Sequence, residues 1–443
     1  MFDLVIKNAR IAGPDGTCTE GDLACQNGLV ERIGGQVTAD AVETIDAEGH
    51  LLLPGVIDPQ VHFREPGATH KEDLGSGSRA AVRGGVTSFL EMPNCSPATT
   101  DQSQLDWKLS RAQRTCVANF GFFIGATKDN LASLNSVHPT CGIKIFMGSS
   151  TGDLLVDDHE SLDRIFSNGT RLIAVHAEDE ERINQRSVEL IPSSGKPPPY
   201  SLHSEVRDPE TALIATRRAV ELSQKYGRRL HILHLSTAGE VEYLRTNKPV
   251  QITSEVIPNH LFLNTTDYEQ LGSRAQMNPP IRDLDNASGL WQGLHDGVID
   301  IIATDHAPHT LEEKSKPYPH SPGGMPGVET SLPLMLTEMN AGKCTLAEIQ
   351  AWMCEGPART YGIPNKGRIE EGFDADLVLV DLDRSHEVRD DEVFSRAGWS
   401  PYSGRQLSGW PLYTVVGGRV VFDNGQIRPG IFGSALSFAD ADT

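Results

Sequence analysis

The chain has 443 residues, with 60 aspartates and glutamates against 39 lysines and arginines, and a formal charge of -21. Such an acidic surface repels phosphate backbones, which argues against a nucleic-acid partner, and no apolar run is long enough to span a bilayer. The seven cysteines (Cys18, Cys25, Cys95, Cys116, Cys141, Cys344 and Cys354) are scattered without a CxxC pair, as expected of reduced thiols in a cytoplasmic protein.

In chain order, residues 1–53 read as short strands and hairpins. MFDLVIKNARI enters an alternating strand directly, without the basic start and apolar run of a signal peptide. QNGLVERIGG follows, with Asn27-Gly28 suited to a tight hairpin turn. Residues 54–365 then alternate short apolar runs with helical stretches such as 205–227. The candidate strands are GVIDPQVHF, VTSFLEMP, NFGFFIGA, GIKIFMG, RLIAVHAE, LHILHLST, VQITSEVI and VIDIIATDHAP. Residues 366–443 return to β material: DADLVLVDLD, then YTVVGGRVVFDNGQI with turns at Gly417-Gly418 and Asn424-Gly425.

Eight parallel strands point to an α/β fold, a (β/α)₈ TIM-type barrel over 54–365. Residues 1–53 and 366–443 are expected to form a small composite β-sandwich domain. Counting strands leaves open a doubly wound sheet, and two separate β appendages in place of a joint sandwich. The polar residues favour the barrel. His62, Asn94, Lys144, His176, His234 and Asp305 each fall at or near the C-terminal end of a different run, the face on which barrels assemble active sites.

Strand alternation sends Gln60, His62 and Arg64 of DPQVHFREPG to one side. A histidine there can hold a divalent metal, and an arginine beside it can clamp a carboxylate. One strand histidine is ordinarily a hydrogen-bonded core residue. His62, His176, His234 and Asp305 on four strand ends together suit zinc or a similar ion, which lowers the pKa of bound water to about 7. Lys144 sits inside an apolar strand, where its stem either snorkels to solvent or its amine is carbamylated into a metal-bridging carboxylate. Asp305 in TDHAPH can bind metal and move a proton. His306 and His309 are loop residues, of which His309 is better placed to reach a ligand. Asn94 in MPN and Asn278 in MNPPIR either cap turns or, beside Arg64, hold a carboxylate and a ring amide. His231, three residues before His234, is expected on the opposite strand face, outside the barrel. His260 takes no assignment. SPGGMPG (321–327) reads as a mobile active-site loop or a plain surface loop, and nothing matches a P-loop or a dinucleotide fingerprint.

These segments together resemble the amidohydrolase superfamily, and within it the dihydroorotases. PGVIDPQVHFREPGATHKED, GGVTSFLEMPN, GIKIFMG, AVHAEDE, HILHLST, MNPPIR, ATDHAPH, GFDADLVLVD and SPYSGRQLSGWPLYTVVGGRVV carry the resemblance over nearly the whole chain. It implies a barrel with a composite β-sandwich and zinc-dependent, reversible hydrolysis of L-dihydroorotate to N-carbamoyl-L-aspartate in pyrimidine synthesis. By the same resemblance His62 and Asp305 would hold the more buried of two zinc ions, His176 and His234 the other, with carbamylated Lys144 between them. Arg64, Asn94 and His309 would bind the substrate carboxylate and Asn278 the pyrimidine edge. The departures are Gln60, where the family usually has the first histidine of HxH, and Asn259, where histidine is common. Gln60 leaves one ion or two as alternatives. A homo-oligomer is implied. The other readings are a hydantoinase- or allantoinase-like enzyme, which lacks the arginine clamp, and a non-catalytic subunit scaffolding aspartate transcarbamoylase, a kind of chain that usually loses several ligands.

Overall fold

The computed structural model describes residues 1–148, 152–193 and 195–439. The chain begins with β1 (Phe2–Ala12), β2 (Cys18–Gln26), β3 (Leu29–Ile33), β4 (Ala41–Asp46) and β5 (Leu51–Pro54). Asn27 (φ 54°) and Gly28 (φ 81°) both lie in the left-handed region, the two-residue turn whose twist matches paired strands.

The middle of the chain supplies β6 (Val56–Val61), β7 (Val86–Glu91), β8 (Asn119–Phe122), β9 (Ile124–Gly125), β10 (Ile143–Phe146), β11 (Ile173–His176), β12 (Leu230–Ile232), β13 (Ile252–Val256) and β14 (Ile301–Ile302). All pair in parallel, in two arcs: β6-β7-β8 and β9 to β14 in order. The run NFGFFIGA serves both arcs, since β8 pairs with β7 and β9 with β10 on either side of Phe123. At the other seam His306 bridges Val61, and its carbonyl accepts from the His62 N–H at 2.8 Å. Asp58 tightens that seam by accepting from the Thr304 N–H at 3.1 Å and from its hydroxyl. A sheet closed at both seams is a barrel, which removes the open-sheet alternative.

Alternation then sorts the side chains. Ile143, Ile145, Ile173, Val175, Leu230 and Ile232 face outward, in one core with the helix residues Leu162, Ala219, Val220 and Val241. Ile57, Leu90, Phe123, Ala174, Leu233 and Ile301 belong to a second core that fills the barrel's interior. The helix expected over 205–227 is Pro209–Tyr226. Asp208 accepts from the Thr211 N–H, Pro209 takes the first turn, and Gly227 at φ 63° ends it.

The C-terminal strands β15 (Leu377–Glu387), β16 (Gln406–Val416), β17 (Arg419–Asp423) and β18 (Gln426–Ile427) continue the first sheet. β15 runs antiparallel to β5, giving nine strands ordered β18-β17-β16-β15-β5-β1-β2-β3, with β4 also on β1. Leu4, Ile6, Leu23 and Val30 from one end of the chain share a core with Leu377, Leu379, Val415 and Val420 from the other. The termini therefore form one joint β unit. Among the described residues, no helix is long and apolar enough to cross a membrane.

Candidate active site

Gln60, His62, Arg64, Asn94, Lys144, His176, His234, Asn278 and Asp305 line one cavity of about 80 Å³, at the C-terminal ends of the barrel strands. A larger cavity, about 640 Å³, opens at their N-terminal ends. Its acids are already spent on its bases, Asp296 on Arg245 at 2.7 Å and Asp300 on Lys248 at 2.5 Å.

Strand alternation accounts for Gln60 and His62 but not for all the convergence. Arg64 (φ 63°), His234 (φ 37°) and Asp305 (φ 46°) have left-handed backbones, a conformation costing a non-glycine residue roughly 1–3 kcal/mol. These bends end the strands early, so β12 has three residues and β14 two. Arg64 enters the cavity through its bend, beyond the strand. The same effect corrects the expectation for His231. It is fully buried inside the barrel below the site, 2.7 Å from Thr253 Oγ1 and 3.0 Å from Glu255 Oε2, against the ring of Tyr361. The bend at His234 breaks the alternation from which the opposite face was inferred.

Two pairs of donors meet in the cavity. His62 Nε2 is 3.0 Å from Asp305 Oδ1, while its Nδ1 is 2.6 Å from Asn94 Oδ1. Burial lowers the pKa of His62 against the pull of Asp305. A neutral ring has one proton for two oxygen neighbours, so one contact sets lone pair against lone pair unless a cation stands there. In the second pair, His176 gives its Nε2 proton to Glu178 Oε2 at 2.8 Å, which leaves Nδ1 as a lone pair 2.9 Å from His234 Nε2. A carboxylate on the far nitrogen is the arrangement that orients a ligating imidazole. Burial lowers the pKa of His176, and burial with His176 and Lys144 nearby holds His234 well below the usual histidine range.

Among the described residues, no three His, Cys, Asp or Glu side chains gather closely enough to hold a metal by themselves. Lys144 is the remaining candidate, buried and within electrostatic reach of Asp305, His176 and His234. Burial brings its pKa down to about 7, so much of it is a neutral amine at neutral pH. The donor set fits a divalent cation if Lys144 contributes an oxygen. Gln60 donates its Nε2 to Asp305 Oδ1 at 3.1 Å, and its buried Oε1 has no partner among the described residues. That amide oxygen is a weak further donor.

Beside the pairs is a corner built of donors. Arg64 Nη2 lies 3.3 Å from His309 Nε2, while Arg64 Nε donates to the Pro308 carbonyl at 3.2 Å. Burial first, then Arg64 and Lys71, pushes the His309 pKa far down, so this ring is neutral. Asn278 is held by His203, whose Nε2 is 2.8 Å from its Oδ1. The segment 321–327 is no plain surface loop. Gly323 and Gly324 line the cavity, and the Lys314 ammonium donates to the Pro322, Gly324 and Gln276 carbonyls at 2.9, 3.1 and 3.0 Å. A Cβ on Gly324 (φ 137°) would come within 2.5 Å of the Ala307 carbonyl, so only glycine fits. His260 Nε2 donates to the Pro279 carbonyl at 3.1 Å, and Asn259 accepts from Tyr402 at 2.7 Å; both are structural.

Lys71, Glu178, His203, Glu255 and Lys314 were missed in the sequence. Glu178 and Lys71 lie inside segments already notable, AVHAEDE and PGATHKED, and their proximity to His176 and Arg64 was the available signal.

A model of the amidohydrolase family matches residues 51–421. A dihydroorotase of Methanosarcina acetivorans is 37% identical over 97% of this chain and 94% of its own length. Those of Halobacterium salinarum and Bacillus cytotoxicus are 36% and 33% identical, each over 95% of this chain and over 96% and 98% of their own. The chain belongs to the amidohydrolase family, among the dihydroorotases. Its fold is shared with solved amidohydrolases. An L-hydantoinase (dihydropyrimidinase) from Arthrobacter aurescens superimposes with a TM-score of 0.94 at 31% identity, covering 99% of this chain and 100% of that one. A dihydropyrimidinase from Brevibacillus agri does so at 0.90 and 25%, with the same coverage. This amidohydrolase is therefore a hydrolase of cyclic amides, built on a barrel of the same design.

Proposed function

We propose that the chain interconverts L-dihydroorotate and N-carbamoyl-L-aspartate. One observation carries the choice of substrate: the partly buried Arg64 guanidinium lines the cavity 3.3 Å from the neutral His309 ring, with no acidic partner within 4 Å among the described residues. A guanidinium so placed, without a carboxylate partner, calls for an anion, and a ring substrate bearing a carboxylate supplies it. Asn94 and Asn278 complete the pocket. Asn94 Oδ1 is taken by His62, so its NH₂ is the end free for the carboxylate, and Asn278 is positioned for the ring amide.

In our reading the neutral Lys144 amine adds carbon dioxide, forming an N–C bond and releasing one proton to solvent. Its carbamate, with His62, Asp305, His176 and His234, would then hold one or two zinc ions, Gln60 favouring fewer. A bound zinc ion supplies Lewis-acid activation of water at neutral pH. Asp305 takes the proton of the attacking water and returns it to the ring nitrogen as the amide C–N bond breaks. Arg64 and His309 keep the ring from turning while this happens. We also propose a hydrolase barrel at 54–365 flanked by a sandwich domain of 1–53 and 366–443, a division supported by β5 ending at Pro54 and β15 starting at Leu377.

A second reading, activity on uncharged rings, rests only on the fold shared with hydantoinases. Arg64 separates the two. Arg64→Ala should abolish turnover of dihydroorotate and spare that of a neutral hydantoin, and Asp305→Ala should lower kcat about a thousandfold with KM little changed. Wild-type protein that prefers hydantoin to dihydroorotate would overturn the proposal.

A further inference from the structure

Lys71 lies in the turn before the helix Leu74–Arg83, and its ammonium is 3.1 Å from His309 Nδ1 and 3.1 Å from Glu313 Oε1. An ammonium carries three N–H groups and no lone pair, so in this contact His309 Nδ1 accepts. The one proton of the neutral ring then sits on Nε2. That N–H has the Gly323 carbonyl as its acceptor at 3.1 Å, a closer contact than Arg64 Nη2 at 3.3 Å, which as a donor would favour a lone pair there. Glu313 pulls the same way as Arg64. Its Oε2 is 3.5 Å from the same Nδ1 and would accept a proton there.

We propose that Lys71 is a positioning residue that locks His309 in the Nε2-protonated tautomer, so that the ring presents an N–H, turned to the Gly323 carbonyl until substrate arrives, beside the Arg64 guanidinium where the substrate carboxylate binds. Without Lys71, Glu313 draws the proton to Nδ1, and the Nε2 lone pair is left facing a carboxylate oxygen. The inference rests on the dihydroorotate reading for its kinetic consequence, but the tautomer itself does not depend on any substrate.

The experiment is imidazole ¹⁵N NMR on histidine-labelled protein, with the His309 signals assigned by their loss in His309→Ala. Steady-state kinetics on dihydroorotate and on a neutral hydantoin accompany it. Wild type and Lys71→Arg should show a protonated Nε2, and Lys71→Met should move the proton to Nδ1. In Lys71→Met the KM for dihydroorotate should rise about tenfold, the loss expected for one hydrogen bond to a charged group, with kcat within about threefold and the KM for hydantoin unchanged. The double variant Lys71→Met/Glu313→Gln, lacking the opposing carboxylate, should recover the Nε2 proton. Should Lys71→Met not fold, Glu313→Gln alone still decides: any movement of the proton off Nε2 there overturns the mechanism. An unchanged His309 tautomer in Lys71→Met, or an equal loss for hydantoin, overturns it too. Absence of dihydroorotate turnover in wild type would strike only the functional reading.

Discussion

Lys144 brings a primary amine into the barrel, over the ring of Phe146 at 4.5 Å, and makes no salt bridge among the described residues. Burial lowers its pKa from 10.5 to about 7, with Asp305 and Glu255 opposing but not cancelling the shift. The depressed value has a stability consequence whose sign is fixed. Below about pH 7 both folded and unfolded chains hold the proton, and the folded one bears the full cost of a buried charge. Between about 7 and 10.5 only the unfolded chain stays protonated, so stability rises with pH across that window. In metal-free protein kept from bicarbonate, Lys144→Met should therefore be more stable than wild type by a few kcal/mol near pH 6. The advantage should shrink toward zero as the pH approaches 10.5, read as urea midpoints against pH. A constant advantage at every pH would mean that the amine is not held neutral. At this scale His62, Asn94, Lys144, His176, His234 and Asp305 were legible because each falls at or near the end of an apolar run. Lys71 and His203 were not, since their partners lie far along the chain: 238 residues separate Lys71 from His309, and 75 separate His203 from Asn278.

Elements show where sequence patterning stops being informative. Eight apolar runs were enough to give a parallel sheet buried on both faces, and the polar residues at their C-terminal ends, not the count, pointed to a barrel. The strands' lengths were not legible: left-handed bends at His234 and Asp305 end two strands early, and nothing in LHILHLST or VIDIIATDHAP marks a positive φ. The glycine-rich segment 321–327 was equally ambiguous, because its anchor, Lys314, belongs to the separate helix Leu311–Lys314. That ammonium is buried, pushed down to about 7 by desolvation, and satisfies three carbonyls. Replacing it by methionine strands the carbonyls of Gln276, Pro322 and Gly324, at a net cost of roughly 1–3 kcal/mol. The disturbance should be local. In hydrogen exchange, Lys314→Met should speed the amides of 304–309 and 321–327, which pair through Ala307 N–H to Met325 O at 2.9 Å, while β10 and β11 keep wild-type rates. Uniform acceleration would mean that the lysine supports the barrel instead of the loop.

The whole molecule depends on how the terminal sheet is joined to the barrel. The sequence suggested β material at both ends, but alternating strands carry no sign of whom they pair with, and so the β5–β15 seam was one choice of two. Asp376 marks the junction. It is buried just before β15, where it accepts from Asn119 Nδ2 at the start of barrel strand β8 (2.9 Å), from the Gly417 N–H in the β16–β17 turn (2.8 Å) and from Lys366 (2.5 Å). Asp376→Ala would leave a buried amide and a backbone N–H without this acceptor, and the largely buried Lys366 ammonium with Asp374 alone, at 2.7 Å. Two buried donors left without this acceptor cost roughly 2–5 kcal/mol together, which for a chain of this length lowers Tm by about 2–5 °C. The shape of the transition matters more than its shift. Because the joint sheet shares β5 with the strand that runs directly into β6, sheet and barrel should still melt as one calorimetric peak. A low-temperature peak separating from a barrel that keeps the wild-type Tm would show instead that the terminal strands form an independently unfolding unit, and that Asp376 serves only that unit.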